Sequence, residues 1–292
     1  MLAYGIRPDF HVELENTPDI FEETEKLQQR IGLSGICLVG STSIFPNIAE
    51  LFDTVILFFR RGVASDPMFR TNDSAEIPYC GPEVGNLGTS LASALGCQTA
   101  YFFGMDLGAI DPDQHYSKNT NKGLGVLHYP WQKLNLERSG NFGGTAYTNS
   151  RFIESLTFLE EDVRYNKDIS RYFNCSDGIA IAGAAPLRPD VVSLPGSDKS
   201  KADKVSEIIE RCTIYSRDIF EKKWDGDVHL NANLILRTHL LAIINASERD
   251  YDGVIKGLYQ IADAMPLNTK KAEILLYRGS MISALATAYF LL

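Results

Sequence analysis

A polar segment between residues 106 and 118 concentrates side chains that could act on a bound ligand. It contains Asp106, Asp111, Asp113, His115, Tyr116, Ser117 and Lys118. Carboxylate and imidazole groups can accept protons, carboxylates can hold a hard cation, and an ammonium group can neutralise a phosphate. The apolar run at 100–105 just before it predicts a strand buried in a parallel sheet. Ligands of open α/β sheets bind outside the carboxyl ends of the strands, so we expect a ligand site here.

A small-residue turn ahead of this strand predicts an anion site. Asn86, Gly88, Thr89 and Ser90 lie just before apolar residues at helical spacing, so we expect them to form the N-cap and first turn of a helix. Free backbone N–H groups at a helix N-terminus can bind phosphate. Helix capping alone would account for the same residues.

The elements that must position these residues predict an α/β fold. Strand patterns occur at 10–14, 35–40, 54–59 and near 173, with a helix over 47–52 and a long amphipathic helix opened by residues 141–145. Strands that alternate with helices indicate a Rossmann-like, mostly parallel sheet with flanking helices. Helical spacing without strand candidates follows the Pro-rich stretch after Pro186. We therefore expect a ligand-binding domain over residues 1–190 and a helical C-terminal region over 191–292.

Composition excludes some classes of function. Thirty-seven acidic residues against 28 Lys and Arg give a formal charge of −9, which argues against a nucleic-acid partner. Five scattered cysteines without a C-x-x-C pair indicate reduced thiols. The apolar last segment contains Arg278, so a packed helix is favoured over a membrane span. Without a signal-like leader, we expect a cytoplasmic protein.

Both ends of the chain predict that it is part of a longer protein. The first strand pattern starts at Phe10, almost at the N-terminus, and the last helix pattern ends without a Gly or Pro stop. We therefore expect the N-terminal strand of the sheet and its loop to be missing.

Four motifs occur in one order along the chain. They are GIRPDFHVELEN at 5–16, GMDLG at 104–108 with the following HYSK loop, GNFGG at 140–144 and NCSDG at 174–178. On these motifs, residues 4–190 resemble the motility accessory factor family. These are flagellin glycosyltransferase-like proteins whose central domain is grouped with archaeal 6-hydroxymethylpterin diphosphokinase. Residues 88–106 are also similar to the CMP-binding turn, helix and strand of bacterial sialyltransferases.

The resemblance implies a reaction and its partners. A nonulosonic acid of the pseudaminic or legionaminic type would be transferred from its CMP-activated form to Ser or Thr of flagellin before export. The nucleotide sugar is then the donor, flagellin is the acceptor, and the residues 1–190 form a nucleotide-sugar transferase domain. A role for Mg²⁺ is left open. The family's upstream Gly-containing phosphate or nucleotide loop would precede this chain.

Catalytic roles for the polar loop follow from that reaction. His115 is the candidate general base, because its free pKa lies close to neutrality, and Lys118 could neutralise the leaving phosphate. Asp106 could orient His115 or hold a metal. A histidine that hydrogen-bonds locally, and an aspartate that caps the next turn, would explain His115 and Asp106 without catalysis.

Binding roles fall on residues from other segments. We expect Asn86, Gly88, Thr89 and Ser90 to hold the CMP phosphate or ribose. Glu15 would lie at the carboxyl end of its strand near the ligand, unless that strand is a solvent-facing edge. Sugar hydroxyls could form hydrogen bonds with Asn174, Ser176 and Asp177, although an Asx turn would use the same residues.

Two other functions remain open on sequence grounds. An ATP- and Mg²⁺-dependent pterin diphosphokinase would use Asp106, Asp111 and Asp113 as oxygen ligands. A catalytically silent flagellin-binding or scaffold protein could retain the fold without the chemistry. The PDFHVELEN segment favours the flagellar transferase over the kinase.

Overall fold

The computed structural model describes residues 5–60, 77–113 and 133–194, then residue 196, residues 200–212 and 216–223, and isolated positions further on. In this part the chain has an α/β architecture of short parallel sheets flanked by helices, so the predicted fold class is confirmed. The chain divides into two compact units. Unit 1 comprises Met1–His11, Glu15–Glu76 and Arg211–Leu292, and unit 2 comprises Val12–Leu14 and Ile77–Glu210.

The first sheet has the strand order β1-β2-β3. Its strands are β1 (Phe10–Glu13), β2 (Cys37–Ser41) and β3 (Thr54–Phe58). β2 pairs in parallel with β3 from Cys37 opposite Thr54 to Ser41 opposite Phe58. Every residue of β2 is buried, as the continuous apolar run in the sequence requires for a strand covered on both faces.

Two helical segments of unit 1 cover an apolar cluster beside this sheet. Helix α1 (Pro18–Ile31) begins with a proline at its first turn and ends at Gly32, whose N–H donates to Gln28 O at 2.8 Å. The segment predicted as a helix over residues 47–52 is a 3₁₀-helix, Pro46–Leu51. The buried cluster contains Leu33, Ile36, Leu38, Ile44, Ile48 and Phe52.

Unit 2 is built on a second parallel sheet with the order β4-β7-β8. Its strands are β4 (Thr99–Phe102), β7 (Arg171–Asn174) and β8 (Ala184–Pro186). Helices α2 (Val84–Ala94) and α3 (Ser150–Tyr165) belong to the same unit. The core residues include Phe102, Leu107, Leu159, Val163, Tyr172 and Ile179.

A β-hairpin of unit 2 corrects one expectation from the sequence. Residues 141–145 do not open a helix. They lie in the turn and at the start of the second strand between β5 (Leu136–Ser139) and β6 (Thr145–Thr148), which pair antiparallel. Gly143 and Gly144 have φ of 95° and 72°, which glycine adopts without strain. Helix α3 begins later, where the Asn149 side chain caps Phe152 N at 2.9 Å.

The remaining described elements are helical, as the spacing predicts. They are a 3₁₀-helix (Pro189–Val191), α4 (Lys201–Glu210) and α5 (Arg217–Lys223). The domain boundary near residue 190 stays a prediction. Within the part of the chain that the structure describes, no helix combines the length and apolar character needed to cross a membrane.

Candidate functional site

The carboxyl ends of β4 and β7 lie side by side in unit 2. The two strands pair in parallel up to Phe102 opposite Asn174, and Cys175 N then donates to Phe102 O at 2.9 Å. The segments that follow the two strands therefore begin at the same edge of the sheet. This edge is where open α/β sheets bind ligands.

A carboxylate lies a few residues beyond the end of each strand, Asp106 after β4 and Asp177 after β7. Burial raises the pKa of the Asp106 carboxyl, and the negative charge of Asp177 raises this pKa further. Asp106 is partly buried and Asp177 is exposed. A carboxyl group with a raised pKa exchanges protons closer to neutral pH, so Asp106 could take part in proton transfer.

Gly178 allows the backbones of these segments to approach each other. Ile179 N donates to Asp106 O at 2.9 Å, and a Cβ at Gly178 would lie 2.0 Å from the same oxygen. Only a residue without a side chain fits there. The glycine of the NCSDG motif thus fixes the distance between the two carboxylate-bearing segments.

Asn174 and Ser176 form the turn that presents Asp177. Asn174 Oδ1 accepts from Ser176 N at 3.0 Å, and Asn174 Nδ2 donates to Ile179 O at 3.2 Å. Ser176 Oγ accepts from Met105 N at 2.9 Å. Both side chains are buried, so their polar atoms hold the turn, as the Asx-turn interpretation anticipates. Sugar binding by this group, with Asp177 as its exposed member, stays a prediction.

Asn141 is a site residue that the sequence reasoning missed. Its side-chain amide donates to Asn174 O at 2.9 Å and to Ser176 O at 2.7 Å. The residue is buried and connects the β5–β6 hairpin to the end of β7. The GNFGG motif contains Asn141, but its glycines indicate only a turn and not the hydrogen bonds of the amide.

The N-terminus of α2 differs from the prediction. The N-cap is Glu83, not Asn86, and the two residues form a reciprocal capping box. Arg151 also pairs with the Glu83 carboxylate at 2.6 Å. Because an acid of the protein itself caps this end, the physical basis for a phosphate site built on a free first turn is lost.

The polar residues of the first two turns of α2 point into the protein. Asn86, Thr89 and Ser90 are buried, and Gly88 lies between them in the helix. Asn86 Nδ2 donates to Ser155 O at 2.8 Å, and Ser155 Oγ donates to Asn86 Oδ1 at 2.5 Å. Thr89 Oγ1 donates to Gly85 O at 3.1 Å, and Ser90 Oγ donates to Pro78 O. Nucleotide binding by these four residues stays a prediction, but their polar side-chain atoms already have protein partners.

For the other predicted site residues the structure describes only some of the local surroundings. His115 and Lys118 lie outside the described residues. Asp111 Oδ1 accepts from Asp113 N at 3.0 Å in an exposed turn. Glu15 is exposed after β1 and belongs to unit 1, and its role stays a prediction. Among the residues that the structure describes, no group of three or more potential metal ligands comes together.

A parallel sheet with polar residues at adjoining carboxyl ends belongs to the α/β class of folds, in which ligands commonly bind at that edge. Residues 1–112 match the sequence profile of the 6-hydroxymethylpterin diphosphokinase MptE-like family. The matched segment is less than half of the chain and ends shortly after Asp106. No curated protein sequence matches the chain.

The structure is similar to that of MAf glycosyltransferase from Magnetospirillum magneticum AMB-1, with a TM-score of 0.74. The two sequences are 23% identical, and the likeness covers 99% of this chain and 44% of that one. The chain therefore spans less than half the length of that protein. The similarity shows the fold, and together with the family match it confirms the resemblance that the sequence motifs predict.

Proposed function

We propose that this protein is a glycosyltransferase of the motility accessory factor type. It transfers a nonulosonic acid, of the pseudaminic or legionaminic type, from its CMP-activated form to Ser or Thr of flagellin in the cytoplasm. The observation that carries the proposal is the structural likeness to MAf glycosyltransferase over 99% of the chain. The four sequence motifs point to the same family.

The proposed transfer makes one bond and breaks one. The acceptor hydroxyl oxygen bonds to the anomeric carbon, the bond from that carbon to the phosphate oxygen breaks, and CMP leaves with the electron pair. The hydroxyl proton passes to a base, for which His115 is the candidate, and Lys118 neutralises the leaving phosphate. Asp106, whose pKa is raised by burial, orients that base or exchanges the proton itself.

Binding of the donor is proposed for the carboxyl ends of β4 and β7. Asp177 is exposed beside the buried Asn174 and Ser176, so its carboxylate can accept hydrogen bonds from sugar hydroxyls. The polar face of α2 is less suited to bind the nucleotide, because its side chains are buried and already hydrogen-bonded. Glu15 is retained as a candidate contact.

A second candidate is an ATP- and Mg²⁺-dependent pterin diphosphokinase. It is favoured by the match of residues 1–112 to the MptE-like family and by the carboxylates of Asp106 and Asp177 at one sheet edge. Carboxylate oxygens are suitable ligands for Mg²⁺.

Thermal unfolding of the full chain with CMP, and separately with ATP and MgCl₂, distinguishes the candidates. A ligand that binds only the folded state raises the melting temperature. At a ligand concentration of about 100 Kd, the folded state is stabilised by about 2.7 kcal/mol. We expect a rise with CMP. A rise only with ATP and MgCl₂ would establish the kinase instead, and no rise with either would favour the silent scaffold.

Transfer itself is tested by the intact mass of flagellin. Incubation with the protein and a CMP-nonulosonate should add the mass of one or more sugar residues to flagellin. The mass should stay unchanged when CMP and the free sugar replace the activated donor.

A further inference from the structure

Arg188 and Phe142 form an exposed pair in unit 2. The guanidinium carbon of Arg188 lies 5.1 Å from the centroid of the Phe142 ring, which is the geometry of a cation–π contact. Arg188 follows β8, and Phe142 lies in the β5–β6 turn with 38% of its surface exposed. The ring therefore supports a cation that remains accessible to solvent.

One carbonyl at the end of β7 accepts hydrogen bonds from the residues that precede both members of this pair. Asn174 O accepts from Leu187 N at 3.0 Å and from Asn141 Nδ2 at 2.9 Å. Leu187 and Asn141 immediately precede Arg188 and Phe142 in the chain. The pair is thus attached to the end of β7, where the segment leading to Asp177 begins.

Arg188 forms no ion pair with any residue that the structure describes. Other arginines of unit 2 do pair with carboxylates, as Arg151 does with Glu83 and Arg164 with Glu161. The guanidinium of Arg188 contacts an aromatic face instead, so its N–H groups are left for another partner. Such a fork of donors matches the two oxygens of a carboxylate or a phosphate.

The charge at this sheet edge makes such a cation necessary for an anionic donor. Asp106 and Asp177 both place a carboxyl group there, and burial first, then the charge of Asp177, raises the pKa of Asp106. A CMP-nonulosonate carries a phosphate and a carboxylate. A donor with these groups needs a positive partner on the protein to approach the two aspartates.

We propose that Arg188, supported by the ring of Phe142, binds an oxyanion of the donor at the β7 side of the sheet edge. The inference rests on the proposed function and adds a residue that sets the preference for an acidic sugar nucleotide. The oxyanion is the sugar carboxylate or the nucleotide phosphate, two groups with the same hydrogen-bonding chemistry.

Titration calorimetry of the full chain with CMP and with CMP-N-acetylneuraminic acid tests this inference. Arg188→Gln should weaken binding of the CMP-sugar by about tenfold or more, since a hydrogen bond to a charged group is lost. Equal weakening for both probes would assign the phosphate, and weakening for the CMP-sugar alone would assign the carboxylate. Arg188→Lys should recover part of the affinity, and Phe142→Leu should lose less than Arg188→Gln.

The matched control is Arg171→Gln, because Arg171 is exposed at the opposite, amino end of β7. It should bind both probes as the wild type does. Unchanged affinity of Arg188→Gln, when the wild type binds, would overturn the inference and leave the proposed function intact. Failure of the wild type to bind either probe would overturn the proposed function and the inference together.

Discussion

Two polar regions of unit 2 differ in how accessible their side chains are. On α2, Asn86, Thr89 and Ser90 are buried and hydrogen-bonded to the protein itself. At the carboxyl edge of the β4-β7-β8 sheet, Asp177 and Arg188 are exposed, and the pKa of Asp106 is raised. Asn174 and Ser176 at this edge are buried like the α2 residues, so the exposed charged side chains are what distinguish the two regions.

The difference lies in what surrounds each polar group. A buried side chain with protein partners stabilises the fold and would have to break those hydrogen bonds to bind a ligand. An exposed carboxylate, or a guanidinium that contacts an aromatic ring, can still form hydrogen bonds with a ligand. We therefore propose a structural role for the polar face of α2 and ligand contacts for the sheet edge.

The largest effect on this comparison is expected from Gly178→Ala. The new Cβ would lie 2.0 Å from Asp106 O, a backbone atom that cannot move without separating the two segments. We expect the free energy of unfolding to fall by about 3 kcal/mol or more. Urea unfolding measures this change.

The matched control for that variant is Gly196→Ala, which has no heavy atom within 4 Å of the added Cβ. It should change the free energy of unfolding by less than about 0.5 kcal/mol. Equal stability of the Gly178 variant and the wild type would show that the segments after β4 and β7 do not approach as described.

Asn86→Ala tests the structural side of the comparison. It removes the side-chain half of the capping box with Glu83 and both hydrogen bonds with Ser155, so we expect a loss of about 2 to 3 kcal/mol in unfolding free energy. Affinity of the folded variant for CMP should be unchanged. Asn47→Ala, at an exposed position, serves as the control. Tenfold weaker CMP binding without loss of stability would instead restore the nucleotide role predicted from the sequence.

A pH-dependent effect is expected at Asp162, a buried acid on α3. Its Oδ1 accepts from Asn166 Nδ2 at 2.8 Å, while Oδ2 has no hydrogen-bond partner among the described residues. Burial raises the pKa of this carboxyl to about 6, against opposing effects of Asn166 and Ser90. The folded protein therefore holds the proton at higher pH than the unfolded chain, and stability falls as the pH rises from about 4 to about 6.

Asp162→Asn should remove this loss and stabilise the protein above pH 6, by on the order of 2 kcal/mol. Unfolding free energies of variant and wild type, compared at low and neutral pH, isolate the contribution of this group. The exposed Asp168→Asn should show no such difference. A variant that is no more stable than the wild type at neutral pH would contradict the account of a buried charge.

These sites also show how far the sequence could predict the structure. The apolar run before Asp106 and the strand pattern near residue 173 predicted β4 and β7, although β4 ends at Phe102 and not at Met105. The approach of the segments that carry Asp106 and Asp177 could therefore be predicted from the sequence. The roles of the α2 residues were not, because Ser155, the partner of Asn86, lies 69 positions along the chain. Local spacing cannot reveal such a partner.

The start of α3 illustrates the same limit in another form. Glycines at 143 and 144 suit either a helix entrance or a hairpin turn, and only pairing between β5 and β6 decides between them. Arg188 was not predicted for a related reason, since it follows β8 whereas the ring that supports it comes from the β5–β6 hairpin.

The smallest effect sharpens the electrostatics of the sheet edge. Asp177→Asn removes the like charge near Asp106, so the pKa of Asp106 should fall. It should stay above the ordinary value for aspartate, because burial is the larger cause of its shift. Carboxyl ¹³C chemical shifts followed through a pH titration measure this value. An unchanged pKa would show that the charge of Asp177 does not act on Asp106. The control is Asp190→Asn at an exposed position, which should leave the pKa of Asp106 unchanged.

Hydrogen–deuterium exchange of the full chain with and without a saturating CMP-nonulosonate tests the central assignment most directly. The account predicts slower exchange in peptides that cover residues 103–107 and 175–178, with no change in residues 84–90 of α2. Slower exchange confined to residues 84–90, with none at the two segments after β4 and β7, would contradict it and place the nucleotide at the helix.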